Sequence, residues 1–157
     1  MADAPVRVGV ISDTHGLLRP QALAALAGSD FIVHGGDIGN PQILADLGRI
    51  APVTAVRGNN DGAAWADAVP ETAVLTAGGM RIHVLHDLKA LAIDPAAAGF
   101  RVVVAGHSHR PEVQERGGVL YLNPGSAGPR RFKLPVTVAQ LTVEGGVVAA
   151  RLVALAL

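Results

Sequence analysis

Between Val6 and Arg57 three short apolar runs alternate with two segments that each open on proline, and this alternation constrains the fold more than any other feature of the chain. Val6–Ser12 (VRVGVIS), Asp30–His34 and Pro52–Arg57 are biased toward β-branched residues and read as strands. Pro20–Ala27, stopped by Gly28, and Pro41–Arg49 read as helices, because proline fits the first helical turn, where a missing N–H leaves no bond unmade. A βαβαβ order needs crossover connections, so the three strands are expected to lie parallel in one sheet.

Past Glu71 the punctuation changes to paired glycines. Thr72–Ala77 and Met80–His86 flank Gly78-Gly79, Glu112–Leu122 turns at Gly117-Gly118, and Val136–Val143 and Val147–Leu155 flank Gly145-Gly146. Tight two-residue turns demand backbone conformations that glycine adopts freely, so each segment reads as a β-hairpin. Leu88–Ala98 is expected to be weakly helical and Arg101–Ala105 to be a buried strand. The apolar tail LVALAL is expected to be a core or edge strand, and an exposed tail would make a homo-oligomer the expectation.

At 157 residues, with 50% of them apolar, the chain is long enough for one sizeable core and too hydrophobic to be disordered. Neither a linker nor a charge block divides it, so residues 1–157 are expected to form a single domain. Lys plus Arg and Asp plus Glu are 13 each, which leaves no global field to draw nucleic acid or an anionic membrane. Cysteine is absent, which excludes disulfides, thiolate metal sites and a cysteine nucleophile. No uncharged apolar run approaches the roughly 18–20 residues of a membrane helix. With no basic leader ahead of Pro5, a cytoplasmic location is expected.

Polar groups gather just past the strands. Asp13 and His15 follow the first, Asp37 the second, Asn59 the third, His86 ends a hairpin strand, and His107 and His109 follow Arg101–Ala105. Ligand crevices of open α/β sheets lie outside the carboxyl ends of their strands, so these side chains are expected to converge there. Taken singly, Asp37 and Asn59 are ordinary turn formers, and a D-x-H pair is commonly a solvated turn. Two imidazoles in GHSH after an apolar strand have no packing reason to be there, and the set as a whole reads as a metal site. Nitrogen and oxygen donors without thiolate suit Mn, Fe, Ni, Co or Zn. His34 and His83, at or within strands, read as structural histidines.

DTHG at 13–16, GGD at 35–37, GNND at 58–61, His86 and GHSH at 106–109 together resemble the calcineurin-like metallophosphoesterases. The short chain and the NPGS at 123–126 resemble the small bacterial and archaeal phosphodiesterase branch. The resemblance runs from Val6 to about Arg131 and implies an α/β fold, a four-layer α/β/β/α sandwich of two mixed sheets flanked by helices. It further implies two divalent metal ions, with manganese favoured. Asp13, His15 and His109 would hold one ion, Asn59, His86 and His107 the other, and Asp37 would bridge them. Asp37, Asn59 and His107 are the residues expected to act in catalysis.

The implied reaction is hydrolysis of small phosphodiesters through a metal-bridging hydroxide, which needs no nucleophilic side chain. Alternatives on the same residues are a phosphomonoesterase or a nucleotide pyrophosphatase. A non-catalytic scaffold of the same fold is a third reading, since the retromer scaffold subunit resembles it. Two positions depart from the family pattern. Asn60 stands where many members carry the histidine assigned to protonating the leaving group. Asp87 stands where members commonly have glycine, and reads as a cap for the Leu88 segment or a partner of a ligand. Arg130 and Arg131 would clamp a phosphate or form a solvated loop pair. Trp65, in the Ala63–Val69 loop, would stack on a base or simply pack.

Overall fold

β-Branched runs become strands close to their expected limits in the computed structural model, which describes residues 4–131 and 133–157. The first half contains β1 (Val6–Ile11), α1 (Pro20–Leu26), β2 (Phe31–His34), α2 (Pro41–Gly48) and β3 (Val53–Ala55). The second contains β4 (Thr72–Ala77), β5 (Met80–Leu85), β6 (Val102–Val104), β7 (Glu112–Arg116), β8 (Val119–Asn123), β9 (Thr137–Glu144) and β10 (Val147–Ala154). They assemble as two mixed five-stranded sheets, ordered β10-β9-β1-β2-β3 and β4-β5-β6-β8-β7.

β1, β2 and β3 are parallel, as the crossover order requires. The last hairpin does not stay with its neighbours in sequence: β9 returns to pair antiparallel with β1, Val6 opposite Val143. In the second sheet β5, β6 and β8 are parallel, so only the outer pairs β4–β5 and β7–β8 are hairpins.

Alternation along the strands makes two cores. Val8, Val10 and Val33 of the first sheet face Ile82, Val84, Val102 and Leu122 of the second. Ile11, Ile32 and Val138 turn the other way, onto Leu26 of α1 and Ile43 and Leu47 of α2. Each such side chain contributes about 1.5–3 kcal/mol on burial. Gly9 lets α1 close on β1, because a Cβ there would sit 2.7 Å from both Leu26 Cδ2 and Ser29 Oγ.

Leu88–Ala98 is not a helix. A 3₁₀ turn covers only Leu88–Ala90, and residues 95–99 form a turn. The reason is local: Pro95 biases Asp94 away from helical geometry, and Leu88 and Ile93, 36% and 41% exposed, have no apolar stripe to join. The outer face of the second sheet therefore carries only a small cluster of Leu85, Val103, Ala105 and Val119 with Leu91 and Tyr121. Ala64–Ala68 is likewise a 3₁₀ turn, and its Trp65 packs into the helix-side core. The LVALAL tail begins within β10, an edge strand, with Leu152 and Leu157 exposed. Among the described residues no helix is long and apolar enough to cross a membrane.

Candidate metal centre

Asp13, His15, Asp37, His107 and His109 all have left-handed backbones, with φ between 46° and 70°, and among the described residues no other non-glycine does. Each costs roughly 1–2 kcal/mol relative to a right-handed backbone. Bonds between loops hold them there: Asp13 N–H donates to the Gly36 carbonyl at 3.0 Å, His15 N–H to Asp37 at 2.9 Å, and Gly106 N–H to His86 at 2.9 Å. Strain confined to candidate ligand positions points to a functional constraint.

The loops bring all the sequence-predicted site residues into one chain of contacts. Asn59 Oδ1 lies 3.3 Å from His107 Nδ1, which lies 3.3 Å from His86 Nε2. His86 Nε2 is 3.2 Å from Asp37 Oδ2, which is 3.7 Å from His15 Nε2. Asp13 Oδ1 closes the chain, 3.8 Å from His15 Nε2 and 3.4 Å from His109 Nε2. Two tight groups stand out, Asp13–His15–His109 and Asp13–Asp37–His86.

Asp13 supplies the clearest test of whether a cation fits. It is fully buried, and its Oδ2 accepts from Ser12 Oγ at 2.7 Å and from His107 N–H at 3.1 Å. Its Oδ1 has no hydrogen-bond partner, nor does the buried Nε2 of His15 facing it. A buried carboxylate oxygen and an imidazole nitrogen left bare against each other are costly unless a cation lies between them. The donor set fits a divalent ion.

Hydrogen bonds aim the other candidate ligands. His86 Nδ1 donates to the Gly35 carbonyl at 2.7 Å, which turns Nε2 toward Asp37 and His107. Burial alone raises Asp37, but the hydrogen bonds from His86 and from the Asn60 N–H, with the charges of His86 and His15, outweigh it and hold the carboxyl at about 2. Burial lowers His86, and its bonds to Asp37 and Gly35, together with the charges of Asp37 and Asp13, reverse this and raise it.

His34 and His83 stand apart from this chain of contacts. Thr14 Oγ1 donates to the Ile38 carbonyl at 2.8 Å and so accepts from His34 Nε2 at 3.0 Å, while His34 Nδ1 accepts from Gly36 N–H at 3.0 Å. His34 is thus neutral, and burial lowers its pKa to about 4 against the smaller opposing charges of Asp13 and Asp61. His83, lowered by burial, meets Phe100 edge to face at 5.0 Å.

Two supports were not legible from residue types. Asp61 accepts from the N–H groups of Ile38, Gly39 and Gly58, tying the loop after β2 to the loop after β3 and so setting Asp37 against Asn59. Asn123 of NPGS donates to the Gly106 carbonyl at 3.0 Å and to Ser108 Oγ at 3.1 Å, and Ser126 Oγ donates to the Asp13 carbonyl at 3.0 Å. NPGS thus fastens GHSH and the Asp13 loop. Asp87 fills both roles weighed for it. Its Oδ1 accepts from Lys89 N–H at 3.0 Å, capping the 3₁₀ turn, and its Oδ2 is 3.8 Å from His107 Nε2. Arg130 and Arg131 are exposed, and among the described residues neither forms a side-chain hydrogen bond or ion pair.

Comparison with known proteins agrees with this geometry. Residues 6–146 match the calcineurin-like phosphoesterase superfamily domain. A probable metallophosphoesterase of Methanothermobacter thermautotrophicus is 32% identical over 150 residues, covering 88% of this chain and 86% of its own. Wild-type Vps29 complexed with zinc, from Entamoeba histolytica, superposes with a TM-score of 0.71 at 26% identity, over 95% of this chain and 99% of its own. A novel archaeal phosphodiesterase superposes with a TM-score of 0.77 at 21% identity, over 94% of this chain and 100% of its own. The paired mixed sheets, the strained strand-end loops and the sequence match lead to one assignment: the chain belongs to the calcineurin-like phosphoesterase superfamily.

Proposed function

We propose that the protein is a dinuclear-metal phosphodiesterase acting on small phosphodiesters. Asp13, His15 and His109 would hold one divalent ion, Asn59, His86 and His107 the second, and Asp37 would face both. The single observation that carries this reading is the bare, fully buried Oδ1 of Asp13 set against the bare Nε2 of His15. When bound, such ions activate water as a nucleophile and draw charge from the phosphoryl oxygens, and manganese is the ion we favour.

The chain's own residues do the rest. Asp13 and Asp37 together offset two of four positive charges, and a deprotonated water and one diester anion bring the sum to zero. A monoester dianion would need a further cation, and among the described residues no Lys or Arg bonds to any member of the cluster. Asp61 and Asn123 fix the loops, so the ligand atoms need little rearrangement as substrate binds. His107, its side chain 45% exposed, and Asn59, also exposed, would be the ligands open to incoming solute.

Steady-state rates with manganese on bis(p-nitrophenyl) phosphate and on p-nitrophenyl phosphate test the reading. Metal-dependent turnover with the diester favoured is expected, and a clear monoester preference overturns the specificity. Likeness to Vps29 supports a second reading, a protein-binding role without turnover. A metal-loaded protein inert toward both esters would favour it.

A further inference from the structure

A groove of about 390 Å³ starts at His107 and runs along the outer face of the second sheet to Arg116. It exists because the segment after His86 is a 3₁₀ turn and not a helix, which leaves the ends of β6 and β8 uncovered. Val103 of β6, Ala105 just past its end and Tyr121 of β8 line it, and the Arg116 guanidinium lies 4.4 Å over the Tyr121 ring. The volume falls in the range of small-ligand sites.

Three features narrow what fits. Charges along the rim cancel, Asp87 and Glu112 against Lys89 and Arg116, so neither a polyanion nor a cation is favoured. Tyr121 and the Arg116 guanidinium over its ring both line the groove and offer flat surfaces on which a planar ring can stack. Gln114 adds an exposed amide that both donates and accepts and, among the described residues, makes no side-chain hydrogen bond in the chain. An uncharged, planar group with hydrogen-bonding edges matches all three.

On the phosphodiesterase reading above, we propose that the groove is the subsite for one ester group of the substrate, and that this group is a nucleoside whose base stacks on Tyr121. The phosphate lies at the cluster and the nucleoside extends past His107, the residue that cluster and groove share. Tyr121 and Gln114 are then specificity-determining residues.

Two esters with the same leaving group isolate the effect, thymidine 5′-(p-nitrophenyl phosphate) and methyl p-nitrophenyl phosphate, each assayed with manganese. Base–aromatic stacking predicts that the manganese-loaded wild type favours the thymidine ester by about tenfold or more in kcat/KM. Gln114→Trp, on an exposed edge strand where folding is not at stake, fills the groove, and Tyr121→Ala strips its wall. Both are expected to abolish the preference by raising KM for the thymidine ester, with kcat and methyl ester turnover held. No preference in wild type, or a preference that survives both variants, overturns the proposal. If neither ester turns over, the catalytic reading has failed, and titration of thymidine alone followed by amide NMR decides the groove. Shifts at Tyr121, Gln114 and Arg116 that vanish in Gln114→Trp support a nucleoside site, and their absence in wild type overturns it.

Discussion

Asn60 holds Asp37 at both carboxylate oxygens, its backbone N–H on Oδ1 at 2.9 Å and its side-chain amide on Oδ2 at 3.3 Å. The position at which the family resemblance implies a proton-donating histidine thus orients Asp37 here. A neutral amide so engaged has no proton to give a departing alkoxide.

Leaving-group stability should therefore govern the rate. General acid catalysis contributes roughly 10²–10⁴-fold, so aryl esters are expected to outpace alkyl esters by a factor of that order. In a leaving-group series kcat should fall steeply as leaving-group pKa rises, and Asn60→His should speed alkyl esters selectively. A flat, chemistry-limited wild-type series would reveal another acid, with Asp87 beside His107 the first to test.

Asp37→Asn keeps the shape and removes the charge that faces both halves of the cluster. Bound metal per chain should drop, and turnover should fall by orders of magnitude. Elemental analysis with steady-state rates checks this, and full stoichiometry with full activity would defeat the assignment. His83→Gln, outside the chain of contacts, should bind metal as wild type does.

Stability should depend on metal in a way that exposes the strain. Manganese at about 100 times its Kd should stabilise the fold by about 2.7 kcal/mol, read from urea midpoints with and without chelator. His15→Gly relieves a φ of 46°. In chelated protein it should raise stability by about 0.5–1 kcal/mol, because glycine adopts this backbone freely. With manganese the sign should reverse, since a ligand has gone.

Acid should weaken the fold through His34. Its folded pKa is lowered from 6.5 to about 4, so the unfolded chain takes up the proton first, and stability is lost as pH falls from about 6.5 toward 4. The loss across that window is roughly 3 kcal/mol. His86, raised, acts in the opposite direction, contributing stability below 6.5 that disappears as pH rises through its folded value. Comparing wild type with His34→Gln cancels His86, and the variant should show the flatter acid limb in urea unfolding.

Much of the cluster could be read from sequence because each member sits just past a strand end, a position that chain order alone reveals. Its supports could not. Asp61 sits in GNND like any turn aspartate, and only the approach of two separate loops shows that it gathers their N–H groups. The left-handed backbones at His107 and His109 are equally silent, since even histidine, enriched there among non-glycine residues, adopts that conformation only rarely. In the fold, local pattern gave strands and hairpins, but the return of β9 to β1 is a pairing across nearly the whole chain, to which periodicity is blind. The Leu88–Ala98 segment misled for the opposite reason: its alanines favour helix, and it has no surface to bury against one.

The same return of β9 to β1 bears on synthesis. β1 carries the Asp13 loop, yet one of its two flanks is vacant until β9 has emerged, and Val6 waits for Val143. The ribosome delivers the DTHG loop well before β9, so β1 is flanked on both sides only once Val143 has followed it out. Until then the edge of β1 beside the Asp13 loop is open, and an unpaired edge of that kind is prone to wrong pairing before β9 closes it.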